Sequence, residues 1–302
     1  MSAVSRRTFL QSAVVGGAAL AVAGQTSSLL ANDDWGGFKM GLQSYTLRDF
    51  DTAKALEHTA KFGLKYWESF SKHVPVATLP ATIAGYKKQL GDAGVQMIAY
   101  GVVGFDENET KAREIFDFAK AMGLLSISAD PKQDKATFDL LDKLVAEYGI
   151  AIGIHNHGPG ARYDKAEDTL KWVKDRHPKI GGCVDTGHYL RSDENIVEVI
   201  EKLGSRVFGV HFKDVRTIKD AAEKEKLLKE LTPGRAAELK KEGKIFTILG
   251  EGELDVVGCL KALKKLNYQY GVSLEYEEHP ENPISDIEQC LKTVKTALTK
   301  LG

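Results

Sequence analysis

The sequence predicts a single closed (β/α)8 barrel, and two features of the chain point to that fold class. Short apolar runs alternate with amphipathic helical segments, as parallel strands and their covering helices do. Eight such runs occur between residues 38 and 302, close to the roughly 250 residues of a typical barrel. An open doubly wound sheet is the alternative, but Gln43-Ser44-Tyr45-Thr46 follows the first run where that fold has a glycine-rich phosphate loop.

The eight predicted strands are nearly continuous runs of apolar residues. A parallel sheet covered by helices requires such runs, because neither face of a strand meets water. We predict strands at residues 39–45, 65–68, 95–101, 124–129, 150–155, 180–185, 207–211 and 271–275.

The segments between the strands have the period of amphipathic helices. In the fourth helix the apolar residues that share one face are Phe138, Leu141, Leu144, Val145 and Tyr148. A glycine ends several helices, because the position after a helix often takes a left-handed backbone that glycine adopts without strain. These glycines are Gly63, Gly94, Gly123, Gly149 and Gly204.

One connection is longer than the others, between the strand ending at His211 and the strand beginning at Gly271. It includes residues 216–250, a charged segment with helical character that Pro233-Gly234 interrupts. Two interpretations remain open for this insertion. It is a lid over the mouth of the barrel, or it is a solvated helical hairpin.

The first 31 residues have the pattern of a targeting signal, which leaves 36–302 as the barrel domain. Arg6 and Arg7 precede Phe9-Leu10 and a run at 12–24 rich in alanine, glycine and valine. That run is shorter than the roughly 20 apolar residues that span a bilayer. The pattern resembles a twin-arginine export signal, which implies a periplasmic protein without stable membrane association once the signal is removed. An uncleaved anchor is the alternative.

The charge balance favours a small neutral partner. The chain carries 41 basic and 42 acidic residues, a net charge of −1, so no basic surface is indicated for nucleic acid or anionic lipid. The three cysteines are widely spaced and lack metal-binding or disulfide patterns, and we expect buried thiols. The pattern leaves the oligomeric state open.

Metal-competent side chains stand at the ends of the last four predicted strands. They are His155, Asp185, His211 and Glu275. In a parallel barrel the carboxyl ends of the strands surround one mouth, where catalytic groups lie. Each residue alone is more often a helix cap or turn residue than a metal ligand. The four together are not explained as caps or turn residues, because carboxylates buried beside histidines need a cation to pair with them.

The chain resembles the xylose isomerase-like barrels known as sugar phosphate isomerases/epimerases. The resemblance rests on four motifs, namely Asp185-Thr186-Gly187-His188, His211-Phe212-Lys213-Asp214, Gly250-Glu251-Gly252-Glu253-Leu254-Asp255 and Ser273-Leu274-Glu275. It implies one divalent cation, commonly manganese, cobalt, magnesium or zinc. The positions that match the family's ligands are His155, Asp185, His211 and Glu275.

The fifth strand departs from the epimerase pattern, because His155 stands where those enzymes have glutamate. This strand end resembles that of inosose dehydratases. Epimerases of the family use glutamates of strands five and eight as a pair on opposite faces of a sugar carbon, and here that pair is lost. The change also leaves two carboxylates against a dication, which makes the metal a stronger Lewis acid.

Other residues near the strand ends are candidates for catalysis or substrate binding. His188 and Lys213 are candidates for hydrogen bonding to a sugar hydroxyl and for stabilising an enediolate, and Glu275 is the candidate base. The candidates for substrate contact are Glu68, Trp67, Tyr100, Tyr189, His157 and Tyr45. Each of the aromatic residues has an ordinary role in the core as the alternative. Glu251 either reaches the mouth or begins a turn.

These features predict a metal-dependent enzyme that removes a proton next to the carbonyl of a carbohydrate. Isomerase or epimerase action is the first expectation, with lyase or dehydratase action on a keto-sugar or 3-keto-glycoside as the alternative. A non-catalytic sugar-binding barrel is a third possibility. DNA-repair endonucleases of this fold are disfavoured, because their extra histidine ligands are replaced by Glu68 and Tyr100.

Overall fold

The structure, a computed structural model, describes residues 35–301, and the predicted signal at 1–31 lies outside them. The described residues belong to one compact unit. Its strands are β1 Lys39–Gln43, β2 Tyr66–Ser69, β3 Gln96–Phe105, β4 Ser126–Pro131, β5 Ala151–His155, β6 Ile180–Asp185, β7 Val207–Phe212, β8 Asp214–Thr217, β9 Lys244–Thr247 and β10 Gly271–Leu274.

Eight of these strands form a closed parallel barrel, which confirms the predicted fold class. The order around the barrel is β1, β10, β7, β6, β5, β4, β3 and β2. Closure comes from β1, which pairs with both β2 and β10. Each pair is parallel, so all eight carboxyl ends open on the same side of the molecule.

Two strands, β1 and β3, differ in length from their predictions by two residues or more. β1 ends at Gln43, because its side-chain oxygen accepts the Tyr45 backbone N–H at 3.1 Å and begins a 3-10 turn at Ser44–Leu47. β3 continues to Phe105, because pairing with β4 resumes at Val103 after an irregularity in the register. Local hydrogen bonding and tertiary pairing decided these boundaries.

Helices cover the outside of the barrel. They are α1 Thr52–Lys61, α2 Pro80–Asp92, α3 Glu109–Met122, α4 Lys135–Tyr148, α5 Ala166–Val173, α6 Thr186–Arg191, α7 Ile196–Leu203, α8 Ala221–Glu230, α9 Pro233–Glu242, α10 Val256–Lys265 and α11 Ile284–Leu298. Gly123 and Gly149 follow α3 and α4 with φ of 81° and 72°, as the glycine pattern predicts. Among the described residues, no helix has the length and apolarity needed to cross a membrane. The three cysteines are buried and free, as expected.

The insertion at 216–250 forms a small substructure beside the barrel mouth. β8 and β9 pair in an antiparallel ribbon, and α8 and α9 lie between them in sequence. Every residue of α8 keeps part of its surface exposed, whereas α9 buries Ala236 and Leu239. The insertion is therefore a hairpin with one solvated helix and one packed helix. That the insertion closes over the mouth of the barrel stays a prediction.

Asp214 connects two of the sequence motifs. Its carboxylate accepts the backbone N–H groups of Gly250, Gly252, Glu253 and Leu254 at 2.9–3.2 Å. A Cβ at position 252 would lie 2.3 Å from Asp214 Oδ1, so the glycine is needed for this close approach. The aspartate thus fixes the loop that leads into α10.

Replacing Asp214 with alanine should destabilise the fold. The change leaves several backbone N–H groups without an acceptor, and we expect the free energy of unfolding to fall by about 3 kcal/mol. Urea denaturation followed by circular dichroism measures it. Asp220→Ala is the matched control, because Asp220 is exposed and caps α8 by accepting one backbone N–H, that of Glu223, at 2.7 Å. Its loss should lower the free energy of unfolding by about 1 kcal/mol. Equal losses in the two variants would contradict the assignment of Asp214.

Candidate metal centre

The four predicted ligands meet at the mouth of the barrel. One side-chain atom from each of His155, Asp185, His211 and Glu275 lies within 4.8 Å of those of the other three, and all four residues are buried. His155 Nε2 is 3.1 Å from His211 Nδ1 and 3.4 Å from Asp185 Oδ2. Glu275 Oε2 is 2.9 Å from His211 Nδ1.

The register of the parallel strands produces this meeting. Asp185 is aligned with His211 across β6 and β7, and His211 is aligned with Ser273 across β7 and β10. Glu275 follows β10 directly, and its backbone N–H donates to Phe212 at 3.0 Å. The ends of adjacent strands thereby place the four side chains at one level of the barrel.

Asp185 uses its two oxygens differently. Oδ1 accepts the backbone N–H of His188 at 2.8 Å and so caps α6. Oδ2 faces the cluster, and within the described residues it has no hydrogen bond of suitable geometry. Asn156 exchanges two hydrogen bonds with the Asp185 backbone at 2.9 and 3.0 Å, which holds the ends of β5 and β6 together.

Glu68 lies behind His211, away from the substrate side. Its Oε2 is 2.9 Å from His211 Nε2, and it also accepts hydrogen bonds from Ser128 at 2.6 Å and Ser273 at 3.1 Å. Burial would raise the pKa of Glu68, but His211 and the two hydroxyls outweigh it and lower that pKa. With Nε2 donating to Glu68, Nδ1 of His211 is the atom left for the cluster.

Lys213 is the positive charge of the site. Its Nζ lies 3.0 Å from Asp185 Oδ2 and 3.1 Å from Glu275 Oε2, and it also pairs with Glu277. Burial favours the neutral amine, but these carboxylates outweigh burial and hold the pKa of Lys213 above its usual range. At Asp185 burial favours the neutral acid and would raise the pKa. Lys213 and the nearby histidines outweigh burial, and the pKa of Asp185 is well below its usual range.

His188 lies beside the cluster as a buried neutral imidazole. Burial holds its pKa well below the usual value, and the nearby Lys213 acts in the same direction. Arg191 Nη1 is 3.0 Å from His188 Nδ1, so the guanidinium donates and the ring accepts there. The ring hydrogen is then on Nε2, which makes His188 a hydrogen-bond donor at neutral pH.

The cluster opens into a cavity of about 370 Å³. His155, His157 and His188 line one part of it, together with Lys213 and Glu275. An apolar part is formed by Tyr45, Phe70 and Val102, where the Tyr45 and Phe70 rings meet edge to face at 5.4 Å. A site with hydrogen-bonding groups beside a partly apolar wall suits a sugar.

Four predicted contact residues do not line this cavity in the described chain, namely Glu68, which contacts His211, and three aromatic residues. Trp67, Tyr100 and Tyr189 are buried outside the group that lines this cavity in the described chain. Trp67 stacks on His73 at 5.6 Å, and Tyr100 meets Phe118 edge to face at 5.1 Å. The prediction placed them by nearness to a strand end. It ignored alternation for Trp67 and Tyr100, whereas Tyr189 belongs to α6 and is turned into the core there. Neighbours in a strand point to opposite faces, so Trp67 points outward where Glu68 points inward.

The prediction also missed Glu277, which lines the cavity and contacts Lys213. The sequence did indicate Glu277, because it lies two residues after Glu275 and residues two apart in an extended chain share one face. Ser128 and Ser273 had no comparable signal, because serine is ordinary in buried strands. Glu251 is exposed in the loop before α10.

Known proteins are similar to this chain in sequence or in fold. A curated inosose dehydratase from Clostridium botulinum (strain Alaska E43 / Type E3) is 33% identical over 147 residues, which is 48% of this chain and 47% of that protein. The chain thus matches about half the length of this curated relative. Two solved structures are similar in fold at low identity.

One is the IolI protein with a bound zinc atom, with a TM-score of 0.63, 18% identity, and coverage of 88% of this chain and 99% of that one. The other is the 3-keto-D-glucoside 4-epimerase YcjR from E. coli, with a TM-score of 0.58, 14% identity, and coverage of 86% and 99%.

A family model also matches most of the chain. Residues 56–296 match the model described as xylose isomerase-like TIM barrel. That range runs from α1 to α11 and contains all four residues of the cluster. The chain therefore belongs to the xylose isomerase-like TIM barrel family.

Proposed function

We propose that this protein is a metal-dependent enzyme that removes a proton next to a carbonyl group of a carbohydrate. The observation that carries the proposal is the buried cluster of His155, Asp185, His211 and Glu275, which opens into the cavity. Buried carboxylates beside imidazoles form a ligand set for a divalent cation. Membership of a family of sugar-modifying enzymes supports the same conclusion.

The residues fit one divalent cation. Asp185 Oδ2 and Glu275 Oε2 are buried and, within the described residues, lack a hydrogen bond of suitable geometry, although Lys213 Nζ is near both. Two nitrogen and two oxygen ligands favour zinc, cobalt or manganese over magnesium, which prefers oxygen. The zinc atom in the IolI structure, a protein of the same fold, supports this choice.

Glu275 is the base in the proposed reaction. When bound, the cation would polarise the substrate carbonyl and stabilise negative charge on the enediolate. Glu275 takes the proton from the neighbouring carbon, and the electrons of that C–H bond form the enediolate. Lys213 stabilises charge on its oxygen, and His188 donates a hydrogen bond from Nε2 to a substrate hydroxyl.

Elimination is the fate of the enediolate that this arrangement favours. Epimerisation needs a second group to return a proton on the opposite face, and the position on β5 that carries glutamate in epimerases holds His155. In elimination the bond from carbon to the β-hydroxyl breaks, and the hydroxide takes the proton held by Glu275. Water leaves and the carboxylate is restored. The relative named inosose dehydratase supports this fate.

Isomerisation or epimerisation begins with the same proton abstraction and is the second candidate. The observation that favours it is the close fold similarity to YcjR, a 3-keto-glucoside 4-epimerase. Both candidates take a small carbohydrate that carries a carbonyl. A phosphorylated sugar is disfavoured, because Glu275 and Glu277 line the cavity with negative charge and Lys213 is already paired.

Export is a separate proposal that rests on the sequence alone. Arg6 and Arg7 with the following apolar run support twin-arginine export to the periplasm. This route carries folded proteins, which is consistent with loading of a metal before export. A neutral, unphosphorylated sugar is the substrate class expected there.

Asp185→Ala should abolish metal binding. We expect about one divalent cation per chain in the protein and none in the variant, since Asp185 supplies a central buried carboxylate. Elemental analysis after dialysis against Zn²⁺ measures the occupancy. Asp130→Ala is the matched control, because Asp130 belongs to β4 and pairs with Arg162 at 3.3 Å outside the cluster. Full occupancy in Asp185→Ala would place the metal elsewhere.

Glu68→Gln should weaken metal binding without abolishing it. The carboxylate that holds His211 through Nε2 is lost, and such outer partners typically change metal affinity by about 10- to 100-fold. Competition with a chromophoric chelator measures the dissociation constant. Glu57→Gln on the exposed surface of α1 is the control. An unchanged constant would show that Glu68 has no part in orienting His211.

Glu275→Gln should stop proton exchange and product formation together. With a keto-sugar that has a hydroxyl β to the acidic carbon, the native enzyme should exchange that proton for solvent deuterium and release water. NMR in deuterium oxide follows both events. Glu281→Gln, an exposed change on the same loop, is the control. Efficient reversible epimerisation of an unmodified ketohexose by the native enzyme would instead establish the second candidate.

A further inference from the structure

The ammonium of Lys213 occupies the side of the cluster where a cation would be attracted. It lies 3.0 Å from Asp185 Oδ2 and 3.1 Å from Glu275 Oε2, the two oxygens that face the cluster. A dication bound through these oxygens would therefore lie close to a buried positive charge. The two cations repel, because a buried site screens charges poorly.

Glu277 is the third carboxylate that contacts Lys213. Its Oε1 contacts Lys213 Nζ, while its Oε2 is 2.6 Å from Arg235 Nη2. The carboxylates of Asp185, Glu275 and Glu277 carry −3, and Lys213 and Arg235 together carry +2, which leaves −1. Glu277 is the one of these three carboxylates that stands outside the proposed ligand set.

Arg235 comes from the insertion, in the first turn of α9. Its guanidinium also pairs with Glu238 at 2.9 Å and Glu278 at 3.3 Å, and it lies 4.4 Å from the centre of the Phe246 ring. These contacts fix the guanidinium, and the guanidinium in turn fixes one oxygen of Glu277. The other oxygen is left for Lys213.

We propose that Glu277 is a positioning residue that gives the Lys213 ammonium a third carboxylate partner, so that a cation can displace the ammonium from Asp185 and Glu275, and that Arg235 orients Glu277 for this task. The inference rests on the proposed metal site. It makes the 216–250 insertion part of the catalytic centre by way of one chain of charges from Arg235 through Glu277 to Lys213. The insertion thereby sets the affinity of the site for its cation.

The test is a titration of the purified metal-free protein with Co²⁺ alone at fixed pH and ionic strength, followed by visible absorption. Glu277→Gln should weaken binding by about 10- to 100-fold, the range for partners that act behind a metal ligand. Glu281→Gln is the matched control, because Glu281 is exposed on the same loop and contacts neither Lys213 nor Arg235 among the described ion pairs. It should bind Co²⁺ as the native protein does.

A double-mutant cycle separates positioning from a general structural effect. Lys213→Met keeps the apolar stem and removes the charge, so it should bind Co²⁺ more tightly than the native protein. In that background Glu277→Gln should have less than about a threefold effect, because the charge that Glu277 restrains is gone. An equal loss in both backgrounds would overturn the proposal.

Arg235→Gln tests the contribution of the insertion. It should weaken Co²⁺ binding in the native background and have no further effect in Glu277→Gln. A loss that persists in Glu277→Gln would overturn the role given to Arg235.

The remaining outcomes are also decisive. Native affinity in Glu277→Gln overturns the positioning role while leaving the metal site intact. Absence of Co²⁺ binding by the native protein overturns the metal site itself. If Glu277→Gln does not fold, Lys213→Met alone decides the matter, because unchanged or weaker binding in that variant contradicts the repulsion on which the inference depends.

Discussion

The burial of two carboxylates at the barrel mouth is the constraint on which the rest of the site depends. Asp185 and Glu275 turn one oxygen each toward two imidazoles in a region with little water. Charges buried in this way are unfavourable unless opposite charge is close to them. Lys213 supplies one positive charge, and the proposed dication supplies the remainder.

The arrangement behind the cluster follows from that constraint. Glu68 accepts from Nε2 of His211, and two serine hydroxyls satisfy the rest of its carboxylate. Asn156 fastens the end of β5 to the backbone of Asp185. Ligands held by such partners lose little conformational freedom when a cation binds. The barrel therefore provides a site that is largely formed in advance.

The insertion at 216–250 contributes to the site through a charged side chain. Its outer helix, α8, is solvated, and its contribution to the centre comes through Arg235 on α9. Phe246 adds an aromatic face near three cationic groups, Arg191, Lys213 and Arg235. The sequence left open whether this mixed-charge segment is a surface hairpin or a lid. In the structure it is connected electrostatically to the cluster through Glu277 and Lys213.

The sequence by itself determined the fold and the four members of the cluster. Strand and helix periods are local properties, and the rule that parallel strands end at one mouth brings His155, Asp185, His211 and Glu275 together without knowledge of any distance. Tertiary structure decided which way each side chain points and which charges share a partner. Trp67 and Tyr100 were misplaced because the face of a strand depends on its register, and register is fixed by pairing with neighbouring strands. The link between Glu277 and Arg235 joins residues 42 positions apart, and only packing of the insertion against the barrel creates it.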